Sequence, residues 1–186
     1  KIFDIFKKKI YYNKITKILD VGTTPVISEE ENILFNHYPW IENITGFSNQ
    51  NCNNLKNKFK KNKFIIGDAR KINLPENSYD IIHCSATIEH VGNSVHQKKM
   101  ISELYRICKR QIFLTTPNRN FPIEFHTKIP FLHLLPKKIF RKILKIINLK
   151  YFALEENLNL LNTKDIEKFC NELGIKNYEI CYNKLL

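Results

Sequence analysis

The chain has 186 residues, an apolar fraction of 43% and a formal net charge of +12. That length suits one domain of ordinary size, burying about 70% of its unfolded surface and so holding a real core. The apolar share is that of a globular protein, and no apolar run approaches the ~20 residues needed to cross a bilayer. The start, KIFDIFKKKIYY, lacks the continuous apolar core of a signal peptide. Beginning at Lys1 rather than Met, the chain reads as one lacking a few leading residues.

The five cysteines, Cys52, Cys84, Cys108, Cys170 and Cys181, are odd in number and form no C-x-x-C pair. That argues against a disulfide framework and against a cysteine zinc site, so no metal is expected. They read as reduced thiols of a cytoplasmic protein, mostly filling the core. The excess of positive charge is spread through a Lys-, Asn- and Ile-rich sequence. Lys56, Lys58, Lys60, Lys61 and Lys63 form the solvated face and end of one helix, so nucleic acid is not the expected partner.

Taken in chain order, residues 1–13 predict an amphipathic helix with Ile2, Phe6 and Ile10 in register. Lys17 to Val21 is a first strand. Ser28 with Glu31 makes a capping box opening a helix through Tyr38. Strands follow at 43–47, 63–66, 79–85 and 111–115, with helices at 51–61 and 95–108 between them. Gly22 and Gly67 each follow a strand, where backbone must turn sharply, and Gly46 lies near the end of one. Alternation of strand and helix predicts an α/β fold: a doubly wound, mostly parallel sheet covered on both faces.

Residues 117–162 break this rhythm with prolines at 117, 122, 130 and 136 and a cluster of aromatics, and read as an insertion after strand five. Its last part, 137–149, is an amphipathic helix. From Lys128 to Lys150 the chain holds seven Lys or Arg and no acid. A helix capped by Thr163 and ended by Gly174 comes next. Then a sixth strand is expected at 178–183. The chain stops before a seventh could form, as a fragment or a trimmed edge would.

Two stretches carry chemistry: ILDVG at 18–22 and IGDARKINLPENSYDIIHCSATIEHV at 66–91. In this order and spacing they resemble the nucleotide-binding edge of class I S-adenosylmethionine-dependent methyltransferases. The segment TTPNRNFPIEFHTKIPFLHLLP, Thr115 to Pro136, resembles the type 11 branch of that family. The resemblance covers roughly residues 15–182. It implies a Rossmann-like sheet in which six of the usual seven strands are visible, and S-adenosylmethionine as cofactor. It also implies that Asp20, Gly22 and Thr23 hold the amino-acid end of the cofactor and Ser48 and Asn49 meet its ribose. Asp68 and Ala69 match the adenine contacts, and Ser85 flanks the methionine portion. Glu89-His90 matches the family's Glu-His turn, read as mainly structural. Two features depart from the pattern. The G-x-G-x-G loop is replaced by Gly22-Thr23-Thr24-Pro25, and the ribose-binding acid is replaced by Ser48. A hydrogen bond to a neutral group is worth less than one to a charged group, so binding should weaken by about tenfold rather than vanish.

A sulfonium methyl is already activated, so transfer needs mainly a held nucleophile; orientation can supply ~7–11 kcal/mol of the barrier. A hydroxyl acceptor would gain from a general base. His126 is the first candidate for that base, with Glu124 a second or an orienting partner. Asn118 and Arg119 are candidates to meet the acceptor, Arg119 suiting an anionic one. The expected reaction is methyl transfer to a small-molecule or glycolipid or saccharide acceptor, most readily at oxygen. The basic helix at 137–149 allows a lid or a peripheral contact with an anionic membrane. Two other functions stay open: a catalytically inactive binding or scaffold protein, favoured by the Thr-Thr-Pro loop and Ser48, and an RNA methyltransferase.

Overall fold

The computed structural model describes residues 1–28 and 30–183. In chain order the elements are α1 (Ile2–Lys9), β1 (Ile18–Val21), α2 (Ile33–His37), β2 (Ile44–Ser48), α3 (Asn53–Lys58), β3 (Lys63–Ile66) and β4 (Tyr79–Ser85). After these come α4 (Ser94–Ile107), β5 (Cys108–Thr115), α5 (Lys137–Ile146) and α6 (Thr163–Glu172). The chain divides into two compact units. Of the described residues the first holds 1–28, 30–85, 102–114 and 181–183; the second holds 86–101 and 115–180.

The first unit is built on the sheet, which among the described residues has five strands in the order β3-β2-β1-β4-β5. β1 pairs in parallel with β2 and with β4, and β2 with β3. All four residues of β1 are buried, as a central strand covered on both faces requires. The register sets Ile18 beside Ile44 on one side and Ile81 on the other, so three isoleucines form one row across the sheet. Phe6 and Ile10 from the α1 segment and Leu34, Phe35 and Tyr38 from the α2 segment cover that row. Phe6 is fully buried and touches the rings of Phe3, Tyr12, His83 and Phe113. Burying such a side chain contributes about 1.5–3 kcal/mol. Arg106 fastens the crossover after β3: its guanidinium donates to the carbonyls of Leu74 at 2.8 Å and Ile72 at 2.7 Å.

The second unit has its own apolar cluster of Phe140, Leu144, Ala153, Leu158 and Leu160. The Asn162 side chain caps α6: it accepts from Asp165 N at 3.1 Å, and the Asp165 carboxylate accepts from Asn162 N at 2.9 Å.

The structure corrects the sequence reading in three places. Residues 175–183 form no strand, so among the described residues the sheet has five strands where six were expected; Tyr178 and Tyr182 stay 43% and 63% exposed rather than covered as sheet residues. The helix expected from Ser28 begins at Ile33. Ser28 Oγ does accept from Glu31 N, but the Glu31 carboxylate is turned to the Thr24 hydroxyl instead of closing the box. And Asn162, one residue before Thr163, is the cap of α6.

Candidate functional site

Strand order reverses between β1 and β4, and in open parallel sheets ligands bind beyond the carboxyl ends of the strands at that point. All eight residues expected to hold a cofactor lie in the first unit, at the ends of β1 to β4. Asp20 is buried in β1. Its Oδ1 lies 2.6 Å from Nδ1 of His83, the residue the register places beside it on β4. The His83 ring stacks on Phe113. Nothing in the spacing of a single strand reveals this partner, because it comes from pairing across 63 residues.

Gly22 ends β1 at φ 94°, where a Cβ would be strained. The N–H groups of Gly22 and Thr23 both donate to the carbonyl of Phe47, at 2.9 and 3.2 Å. They are therefore spent on β2. The Thr23 hydroxyl donates to the Asp20 carbonyl at 2.8 Å. Asn32, itself at φ 50°, holds the loop that lacks the family's glycines. Its side chain accepts from Thr24 N and donates to the carbonyls of Thr24 and Val26.

At the end of β2, Ser48 is buried and its hydroxyl accepts from Gln50 N; Asn49 beside it is exposed. Gly46, within β2, is needed for close approach, since a Cβ there would come 2.6 Å from the Phe64 ring. After β3, the Asp68 carboxylate is gripped by Arg70, whose Nη2 lies 2.7 Å from Oδ2 and whose Nε lies 2.9 Å from Oδ1. Ala69 is half-buried. Ser85 ends β4, and Ala86 follows at φ 47°, an unusual conformation for a residue with a Cβ. The carboxyl ends of β1 to β4 thus carry a positive-φ glycine after the first strand and polar side chains at each.

The expected catalytic residues lie in the second unit. Glu124 is 2% exposed. Its Oε1 accepts from His126 N at 2.8 Å and sits 2.5 Å from the ring Nδ1, while Oε2 accepts from Thr127 N. Burial alone would raise the Glu124 carboxyl, but the His126 ring and the N–H groups of His126 and Thr127 outweigh it and hold it at about 2. Burial likewise opposes charge on His126, yet the bond to Glu124 prevails and raises the imidazole above its usual value. Glu124 thus stands as an orienting partner that fixes Nδ1 and turns Nε2 outward. That Nε2 lies 3.1 Å from Nε2 of His90.

Glu89 completes the group. It is fully buried, and burial pushes its carboxyl up. Oε2 accepts from the Thr116 hydroxyl at 2.9 Å, while Oε1 has no hydrogen-bond partner. One ligating atom each from Glu89, His90 and His126 lie within 4.8 Å of one another. The contact of Glu89-His90 with His126 spans 36 residues, so nothing in the local Glu-His turn reveals it.

Asn118 and Arg119 are occupied in shaping the insertion. Asn118 Oδ1 accepts from Asn120 N, and the Arg119 guanidinium donates to the carbonyls of His133 and Leu135.

A family described as a methyltransferase domain matches residues 35–114. Among proteins of curated function, none matches the chain. Solved structures do. The YcgJ protein of Bacillus subtilis shares 14% identity at a TM-score of 0.62, over 92% of this chain and 67% of its own. An S-adenosylmethionine-dependent methyltransferase from Methanosarcina mazei shares 14% at 0.60, over 91% and 82%. Phosphoethanolamine N-methyltransferase 2 of Haemonchus contortus, in complex with phosphomonomethylethanolamine and S-adenosylhomocysteine, shares 15% at 0.63. That likeness covers 93% of this chain and only 36% of the nematode enzyme. At these identities the structures establish a shared fold. No helix among the described residues is long and apolar enough to cross a membrane.

Proposed function

We propose that the chain is a class I S-adenosylmethionine-dependent methyltransferase of the type 11 branch, a reading supported by its matched segment and its fold, and that it methylates a hydroxyl of a small-molecule, glycolipid or saccharide acceptor. Bound S-adenosylmethionine supplies an activated methyl: the acceptor oxygen forms the bond to carbon, and the breaking carbon–sulfur bond leaves its electron pair on sulfur. Asp20, Gly22, Thr23, Ser48, Asn49, Asp68, Ala69 and Ser85 hold that cofactor. Asp68 offers a carboxylate to the adenine amine, and Ser48, in place of the missing acid, meets the ribose with Asn49 beside it. The whole chain serves as one methyltransferase domain, with 117–162 as its acceptor side.

The observation that carries the choice of an oxygen acceptor is His126. Its Nδ1 is tied to a buried carboxylate, and its Nε2 lies beside His90 and Glu89. A hydroxyl is a poor nucleophile until its proton is removed, and an oriented imidazole edge is what such a step needs. Asn118 and Arg119 shape the acceptor's surroundings. Replacement of His126 by Ala and by Gln, assayed by methyl transfer from labelled S-adenosylmethionine to a panel of hydroxyl acceptors, tests this role. Loss of about 10²-fold or more is expected; turnover within a factor of about three of the native rate in both variants removes His126 from the chemistry.

A binding or scaffold protein is the second reading. The feature favouring it is the Thr-Thr-Pro loop, whose first N–H groups are already spent on Phe47. Calorimetry with S-adenosylhomocysteine separates the two, since a scaffold of this kind gives no heat.

A further inference from the structure

We propose that Glu89, His90 and His126 bind a divalent transition-metal cation, which in turn holds the acceptor's oxygen. The inference rests on the oxygen-acceptor reading above and changes the part His126 plays in it: with Nδ1 held by Glu124, its Nε2 serves as a metal ligand in place of taking the acceptor's proton itself. All three residues belong to the second unit, so the site is complete in one compact body.

The argument begins with the two imidazoles. His90 Nδ1 sits 2.6 Å from the carbonyl of Asn157, and His126 Nδ1 sits 2.5 Å from Glu124 Oε1. A carbonyl and a carboxylate only accept, so each ring carries its hydrogen on Nδ1. Both Nε2 atoms then carry lone pairs, and these face one another at 3.1 Å with the rings crossed at 82°. Two lone pairs at that separation repel unless a positive centre, either a shared proton or a metal cation, lies between them; the unpartnered Oε1 of Glu89 in the same group gives a cation a third ligand that a shared proton would leave unused. Two imidazole nitrogens each at ~2.0–2.1 Å from one cation are about 2.9–3.4 Å apart in right-angled or tetrahedral geometry. The observed spacing falls in that interval.

The third ligand shows the same preparation. Glu89 is fully buried with Oε1 unpartnered, and a buried carboxylate oxygen without a partner is costly. Its other oxygen is oriented by Thr116, and its backbone carbonyl accepts from Asn159 N at 2.8 Å. Asn159 in turn is locked to buried Gln97 and to the Gly92 carbonyl. Every candidate ligand thus has an outer partner that fixes its direction, as metal ligands characteristically do. Two imidazoles and one carboxylate suit Mn²⁺, Fe²⁺ or Zn²⁺ better than Mg²⁺ and leave positions for oxygen ligands. The side chain of His90 is exposed, which provides a way in. An acceptor hydroxyl at an open position would release its proton to water more readily, because a bound cation lowers the pKa of its oxygen ligand.

The test is calorimetric titration of the full chain with Mn²⁺, a cation with little taste for the five thiols. One Mn²⁺ per chain is expected, with affinity falling about tenfold or more in each of His90→Asn, His126→Asn and Glu89→Gln. Circular dichroism reports whether each variant folds. In the native chain, independent of any variant, paramagnetic Mn²⁺ should broaden the His90 and His126 ring resonances first. No heat, broadening centred elsewhere, or binding unchanged in folded variants overturns the site. S-adenosylhomocysteine is titrated in parallel. If it binds while Mn²⁺ does not, the cation falls and the methyltransferase reading stands; if it does not bind, that reading falls and the Mn²⁺ result still decides the site.

Discussion

The two units solve different problems with the same chain. The first is mainly an apolar structure: one row of isoleucines across a parallel sheet, sealed by Phe6, Leu34 and Phe35, its buried polar side chains being the Asp20–His83 pair and the small hydroxyls of Thr16, Thr23 and Ser48. The second is built around polar side chains. Glu89, Gln97, Glu124, His133 and Asn159 are all buried there, next to a small apolar cluster. Burying that many polar groups is expensive unless each is bonded, so the second unit spends stability on orientation. The comparison teaches where to look for chemistry: the first unit presents backbone turns for a ligand to lie on, and the second presents aimed side chains.

Substitutions should divide along this line. The largest effect on folding is expected from Phe6→Ala, which empties the sheet-covering core and should cost about 3–5 kcal/mol by urea denaturation. If the cost is below about 1 kcal/mol, the row of isoleucines is not the centre of the first unit. Glu124→Gln should act chiefly on turnover. It keeps the volume but turns an amide NH₂ toward N–H donors, so it loosens His126, lowers methyl transfer by about 10–100-fold and costs about 1–3 kcal/mol of stability. A large loss of stability with normal turnover would make Glu124 a structural residue only. Gly22→Ala places a Cβ at φ 94° and should cost about 1–2 kcal/mol, together with weaker S-adenosylhomocysteine binding. Smallest is Asn162→Ala, which removes the α6 cap for about 1 kcal/mol and should leave turnover unchanged.

The sheet was legible because its signal is local. Each strand shows its own apolar run, and each of the five was placed within three residues of its observed start. Residues 178–183 carry the same kind of pattern, but a strand also needs a neighbour, and that is a property of the whole fold. The Ser28 box failed for a related reason: its pattern was present, and its Glu31 answered to Thr24 instead. At the candidate site, Glu124 beside His126 could be seen from a two-residue spacing. The pairs Asp20 with His83 and His90 with His126 could not, because strand register and the fold of the insertion bring them together.

The central claim is that the carboxyl ends of β1 to β4 hold the adenosyl cofactor. It is tested most directly by following backbone amide resonances of the full chain during titration with S-adenosylhomocysteine. Perturbations confined to residues 20–24, 47–50, 67–70 and 84–86 are expected. Saturating ligand that leaves those amides unmoved, or that moves only amides elsewhere, would contradict it.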